Sequence, residues 1–333
     1  MKTLLFFESA AKPVPQSTAW YLADLGEYLG KQELYARQAP QKLKALKEHA
    51  IIESAVSSNR IEGVNVDPAR VKEVVLGRAH LRDRNEEEVR GYRKALELLH
   101  TKSNTLKVSE NTICELHRLA RGSIGDAGKY KSRDSDIIER YPDGRARIRF
   151  KTVSADETPR YMKQLIKTWQ ECIKERWTHP LIATAAFNLD FLCIHPFRDG
   201  NGRVSRLLML LQCYHLGYEV GRYISLERII EENKQRYYET LEQSSKGWHQ
   251  GKHDPWPYLN FVFSVLKMAY KEFEERAGAI ASPRGSKTEM VHHAVNTIGR
   301  DFTVADIEKK CPAVSRDMIR TVLKSMQKAG EVE

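Results

Sequence analysis

The chain has 333 residues, 41% of them hydrophobic and 29% charged, enough for two domains or one large one with a substantial core. A formal net charge of +10 allows a polyanionic partner (nucleic acid, nucleotide or an acidic protein face) without selecting one. No apolar run is long enough to span a membrane, and five scattered cysteines with no C-x-x-C pair read as reduced cytoplasmic thiols rather than a disulfide or zinc framework.

The N-terminal "MKTLLFFESAAKP" carries two lysines and a four-residue apolar patch, too short for a signal-peptide core. "STAWYLADLGEYLGKQELYARQ" and "PQKLKALKEHAIIESAVSSNRIEG" then repeat apolar residues at helical spacing, as do "EEEVRGYRKALELL", "NTICELHRLAR" and "PRYMKQLIKTWQECIKERW". "DIIERYPDGRARIRF" breaks the rhythm. Pro142-Asp143-Gly144 between two β-prone runs signals a hairpin, and its second arm alternates Arg145, Arg147 and Arg149 with Ala146, Ile148 and Phe150, the period of a half-exposed strand. "HPLIATAAFNLDFLCIH" is apolar nearly all round, as expected of a central buried helix. Helices are also expected after Asn201 to near Gly217, over "SLERIIEENKQRYYETLEQ", and over "PWPYLNFVFSVLKMAYKEFEERA". Residues 277–289 are small, polar and broken by Pro and Gly, the composition of a linker. Beyond it, "MVHHAVNTIG", "TVADIEKKC" and "SRDMIRTVLKSMQKAG" read as three short helices resembling a winged helix-turn-helix over 290–333, expected to be truncated where the wing strands would follow. The fold class is therefore all-α with one small β-hairpin.

The densest chemistry lies in "IHPFRDGNGRVSR", Ile194 to Arg206. Gly200, Asn201 and Gly202 sit between two apolar helices, where glycine permits a sharp turn and close approach of a ligand. The NH groups opening the second helix have no intrahelical partner and lie at its positive end, a phosphate site. Arg203 and Arg206, three apart, can fork onto phosphate oxygens; Asp199 can hold Mg²⁺ against them; His195 can take a proton near neutral pH. The set suits a nucleoside triphosphate with Mg²⁺, attacked by a hydroxyl. Taken singly, each residue also has an ordinary structural reading, as an ion pair, a packed ring or a core histidine.

As a set, the segment resembles the Fic family signature H-x-F-x-[DE]-G-N-G-R-x-x-R, matched at His195, Phe197, Asp199, Gly200, Asn201, Gly202, Arg203 and Arg206. The resemblance extends over about residues 30–275 and implies an all-helical Fic core at 111–276, preceded by a helical region at 1–110. It implies transfer of AMP from ATP to a Ser, Thr or Tyr hydroxyl of a target protein or of the chain itself. His195 would be the base and Asp199 the Mg²⁺ ligand. The turn from Gly200 through Gly202, Arg203, Val204 and Ser205 to Arg206 would cradle the phosphates. Gly202, where kinase-like relatives carry lysine, argues for AMP transfer over phosphate transfer; another nucleotide donor is the alternative within the family.

"SSNRIEG" resembles the family's inhibitory motif [ST]-x-x-x-E-[GN], with Ser58, Glu62 and Gly63 at the end of a helix over about 48–63. The resemblance implies that Glu62 pairs with Arg206 and misplaces bound ATP, and in some relatives the same glutamate helps to remove AMP. The alternative is a surface serine and glutamate before a helix stop. Ile137 and Ile138 on the hairpin would be flap residues over the nucleotide, and Tyr238 a nucleotide contact; the asparagine some relatives offer next has no counterpart in "SSKG". Homodimerisation is an open partner expectation.

A competing reading is a DNA-binding regulator. Arg316, Arg320 and Lys324 form one helical face in the layout of a recognition helix, but residues 285–333 hold eight Lys or Arg against seven Asp or Glu, too balanced for a strong DNA reader. The tail alternatively docks protein.

Overall fold

The computed structural model describes residues 1–8, 13–38, 40–122, 125–140, 144–279, 286–298, 301–312 and 314–332. Among them the architecture is all-α with a single two-stranded hairpin, and no helix is long and apolar enough to cross a membrane.

A short helix, α1 (Lys2–Leu5), opens the chain where the sequence pattern announced no element. Met1, Leu4 and Phe7 are buried, and both oxygens of the fully buried Asp190 accept from α1, from the NH groups of Thr3 at 2.9 Å and Leu4 at 3.0 Å. Four residues cannot sustain a helix alone, so tertiary contact makes this one. Helices α2 (Gln16–Gln38) and α3 (Pro40–Ile61) follow, then α4 (Pro68–Val75). Helix α4 is not among those expected from the sequence, although Asp67 caps it by accepting from Ala69 NH and Pro68 opens it. Helices α5 (Arg84–Lys102) and α6 (Glu110–Arg121) start at side-chain caps, Asp83 and Ser109.

The hairpin pairs β1 (Ile137–Arg140) with β2 (Ala146–Phe150) antiparallel, opposing Ile138 to Ile148. Pro142 and Asp143 of the expected turn lie outside the described residues, while Gly144 has φ +85°. The expected in-out alternation of β2 fails over its first half: Ile148 is 61% exposed beside an exposed Arg147, because no second layer covers the outer part of a two-stranded ribbon.

Helices α7 (Thr158–Glu175), α8 (Pro180–Ile194) and α9 (Asn201–His215) follow. Every residue of α8 from Leu181 to Ile194 is buried, the central position its apolar sequence predicts, with α1, α7, α9 and the long C-terminal helix around it. The stretch expected as one helix over "SLERIIEENKQRYYETLEQ" is two, α10 (Leu226–Glu232) and α11 (Lys234–Ser245). Asn233 breaks them: its backbone leaves the helical region (φ −112°, ψ +28°), and its side-chain amide donates to Ile229 O at 2.8 Å, competing with the helix ladder. Helix α12 (Trp256–Ala279) closes the main body and packs on α2.

One apolar cluster runs from Met1 to Ala277, so residues 1–110 and 111–276 build the same core. A second cluster, from Met290 to Met326, joins α13 (Ser286–Ile298), α14 (Val304–Lys310) and α15 (Arg316–Lys328). Helix therefore occupies both ends of the expected 277–289 linker, and residues 280–285 lie outside the described residues. The three-helix unit meets the main body beside α3 and α10: Arg60 donates to Lys309 O at 3.3 Å, and Lys310 lies 3.8 Å from Glu232.

Candidate active site

Helix α8 ends at His195 in the left-handed conformation (φ +54°, ψ +62°), unusual for a residue with a Cβ. That turn frees the chain to reverse through Pro196–Gly200 and enter α9. Asn201 staples the loop rather than facing a ligand, accepting from Phe197 NH at 2.9 Å and donating to Phe197 O at 2.8 Å. Gly200 caps α9 with φ +84°. The positive φ is the reason for glycine there, and a Cβ would in addition crowd Arg121 at 3.1 Å and His117 at 3.4 Å. Val204 packs in the core, and the Ser205 hydroxyl turns back onto Gly202 O at 2.8 Å.

The half-buried His195 opens onto a cavity of about 390 Å³ between the hairpin and α11. Glu62, Ile137, Ile138, Arg198, Gly202, Tyr237 and Tyr238 are among its walls. His195 Nδ1 lies 3.4 Å from Leu192 O. A carbonyl can only accept, so the proton sits on Nδ1 and Nε2 keeps its lone pair. Burial, aided by the neighbouring Lys131 ammonium, lowers its pKa to about 4, leaving the ring neutral at pH 7.

The arginines are arranged differently from the shared phosphate-facing fork expected from their spacing. Arg203, 1% exposed, donates to Glu88 at 2.7 Å and Asn59 at 3.2 Å. Arg206, 2% exposed, donates from Nε to Ser58 Oγ at 2.9 Å and from Nη2 to Ser58 O at 2.9 Å and Glu62 Oε1 at 2.8 Å. Buried guanidinium groups take whatever acceptors lie in reach, and α3 and α5 supply them. Ser58 is fully buried, so the surface reading fails for the serine, while Glu62 at the helix end does reach solvent. Gly63 closes α3 in the left-handed region (φ +81°), with Val64 NH reaching back to Asn59 O at 2.9 Å. The Glu62 carboxylate rests directly over Gly202, where an added Cβ would stand 2.2 Å from Oε1. Tyr238 donates to Ile61 O at 3.2 Å beside the same helix end.

Asp199 is 48% exposed. Its Oδ1 accepts from Gly200 NH at 2.6 Å and its Oδ2 from Arg121 at 2.7 Å and Arg84 at 3.4 Å. Burial alone would raise this carboxyl; Arg203 and Arg121 outweigh it and hold the pKa below the usual range.

The residues that α5 and α6 bring around Asp199 carry no motif in the sequence. Glu88, buried on α5, accepts from Arg84 at 2.8 Å, Arg121 at 2.8 Å and Arg203 at 2.7 Å, so one carboxylate orders three cations around the loop. His117 stacks on Phe197 at 3.7 Å, with Nδ1 accepting from Gly128 NH at 2.8 Å and Nε2 donating to Asp199 O at 3.0 Å. The signals were faint: Arg84–Glu88 and His117–Arg121 are i, i+4 pairs on otherwise ordinary amphipathic helices.

Residues 107–213 match the Fic/DOC family. The chain is 26% identical over 238 residues to the protein adenylyltransferase Fic of Nematostella vectensis, covering 68% of this chain and 49% of that protein. It therefore spans about half the length of the curated relatives it matches. Among solved structures, a Fic family protein from Desulfovibrio desulfuricans superposes with a TM-score of 0.66 at 23% identity, covering 96% of this chain and 91% of that one. A Fic domain containing signaling protein from Bacteroides thetaiotaomicron gives 0.63 at 21%, covering 78% and 98%. The chain has the Fic fold, with the Fic/DOC match falling on the segment that carries the His195 loop and α9.

Proposed function

We propose that the chain is a protein adenylyltransferase held in check by Glu62. The carrying observation is the Glu62–Arg206 contact over Gly202, in the wall of the cavity onto which His195 opens. In this reading ATP enters beneath the hairpin, its adenine beside Tyr238 and Ile138 and its phosphates at the α9 N-terminus. The acceptor hydroxyl gives its proton to His195 Nε2 as its oxygen bonds to the α-phosphorus; the bond from that phosphorus to the bridging oxygen breaks, and pyrophosphate leaves with the electron pair. Arg206 must be free to hold the outer phosphate for the α-phosphorus to lie in line with the hydroxyl. While Glu62 occupies Arg206, ATP binds displaced, and misplacement by an ångström costs on the order of 10²-fold in rate.

Among the described residues no group of three His, Cys, Asp or Glu side chains converges on a metal position. The half-exposed Asp199 still fits Mg²⁺, which commonly takes one or two carboxylates with the substrate's phosphates. Mg²⁺ bound there would neutralise charge on the leaving pyrophosphate. Arg121 and Arg84 would yield Asp199 Oδ2 to it.

The test uses ATP labelled on the α-phosphate with Mg²⁺, comparing wild type, Glu62→Gly and Glu62→Gly with His195→Ala. Protein-bound label rising at least about 10²-fold in Glu62→Gly and vanishing in the double variant is the expected result. No label in a Glu62→Gly protein that binds ATP would replace AMP transfer with a different donor.

A further inference from the structure

Lys131 belongs to no signature, yet it is buried beside the His195 turn. Its backbone NH donates to Pro196 O at 2.9 Å, and its ammonium lies 3.4 Å from Ile194 O. One residue thus grips the carbonyls on both sides of His195. Among the described residues, His195 and Arg176 are the non-glycine positions with positive φ. A strained conformation persists where its neighbours over-determine it, and here Lys131 supplies two of the restraints.

The ammonium also donates to Thr152 Oγ1 at 2.9 Å. That hydroxyl donates to Ser135 O at 3.0 Å, and Thr152 NH donates to Asp136 Oδ1 at 3.1 Å. Residues 135, 136 and 152 are the two feet of the hairpin. Lys131 therefore joins the base of the hairpin to the turn that carries His195.

The charges around the His195 ring come from several elements: Glu62 after α3, Asp136 and Arg149 from the hairpin, and Arg198 and Asp199 from the following loop, with the tyrosines of α11 opposite. Arg198 is solvent-exposed, so water screens it, and Asp199 is already paired with Arg121, Arg84 and Arg203. Lys131 is the buried charge of the set. Burial lowers its own pKa to about 8, with Asp134 and Asp136 opposing that fall, so it remains mostly protonated at neutral pH.

We propose that Lys131 is a positioning residue for His195: it fixes the left-handed turn that aims the ring into the cavity, ties that turn to the hairpin, and adds a buried positive charge to the burial that disfavours a second proton on the imidazole. The consequence for transfer rests on His195 acting as the base; the consequence for its titration does not.

The experiment follows His195 by NMR in full-length protein labelled at histidine, assigned with His195→Ala, for wild type, Lys131→Met, Lys131→Arg and Thr152→Val. AMP transfer is measured separately with each change placed in the Glu62→Gly protein. In Lys131→Met the His195 midpoint is expected to rise from about 4 by at least about one unit, with transfer at pH 7 falling on the order of tenfold or more. Lys131→Arg should keep the low midpoint and recover part of the rate. Thr152→Val keeps the ammonium but removes its link to the hairpin, so the midpoint should stay low while transfer falls. An unmoved midpoint in a folded Lys131→Met protein overturns the charge assignment, and unchanged transfer overturns the positioning role. If Lys131→Met does not fold, Thr152→Val decides: full transfer, or a midpoint raised as far as its free value, overturns the proposal. If Glu62→Gly transfers nothing to begin with, the function reading has failed, and the titrations still judge Lys131.

Discussion

Glu88 shows how much one side chain can carry. Its carboxylate is out of water and shared by Arg84, Arg121 and Arg203, two of which are themselves buried. Removing one partner of a buried ion cluster leaves uncompensated charge in low dielectric. Glu88→Ala is therefore expected to destabilise the fold by about 3–5 kcal/mol in urea unfolding. Glu88→Gln keeps the shape and part of the hydrogen bonding and should lose less. A change within about 0.5 kcal/mol for both would mean that water reaches the arginines. His117 acts at the same scale through its tautomer: with Nδ1 accepting from Gly128 and Nε2 donating to Asp199 O, both nitrogens are used only while the ring is neutral. Burial lowers its pKa to about 4, against about 6.5 for an unfolded chain. Between those values the unfolded chain binds the proton first, so stability is full above about pH 6.5, falls as pH drops towards 4, and levels off below. Urea midpoints should fall between pH 7 and pH 5 in wild type, and less steeply in His117→Gln.

At the scale of elements, α3 is the segment whose role depends most on its surroundings. From Ile52 to Asn59 it is buried on every face, held through Ser54 to Glu227 at 2.7 Å and through Asn59 and Ser58 to the arginines of α9. Such a helix does not leave its seat readily; Glu62, 27% exposed at its end, can swing while the helix stays. α1 is the opposite case, a four-residue helix with no independent stability. Leu4 is fully buried, and Leu4→Ala should cost about 2–5 kcal/mol, read as a lowered urea midpoint. A loss below about 0.5 kcal/mol would show that α1 merely rests on α8.

At the scale of the molecule, two apolar clusters meet across a polar contact. Arg60, two residues from both Ser58 and Glu62, donates to Lys309 O of the C-terminal unit, and Lys310 approaches Glu232. A chain ending at residue 279 is expected to keep the main body folded while amide hydrogen exchange quickens by on the order of tenfold over residues 58–63. Unchanged exchange there would show that the unit lends α3 no support. Arg320 and Lys324 of α15 are exposed, and a shift of labelled duplex DNA at low salt by the full chain would revive a nucleic-acid role.

Local chemistry already settles much of this protein. The 3.6-residue period places most helices within a few residues, the all-round apolar run marks α8 as central, and the spacing from His195 to Arg206 puts a histidine, a carboxylate and a glycine turn at a helix mouth. These are properties of neighbours in sequence, so sequence reports them. What lies opposite is another matter. Helical spacing alone cannot show that Arg203 turns to Glu88, 115 residues away, or that Lys131 reaches across 63 residues to Ile194 O. Nor can it show that Asp190 makes a helix of Lys2–Leu5. Such pairings depend on which acceptors packing leaves within about 3 Å of a buried donor, and long-range contacts alone decide that.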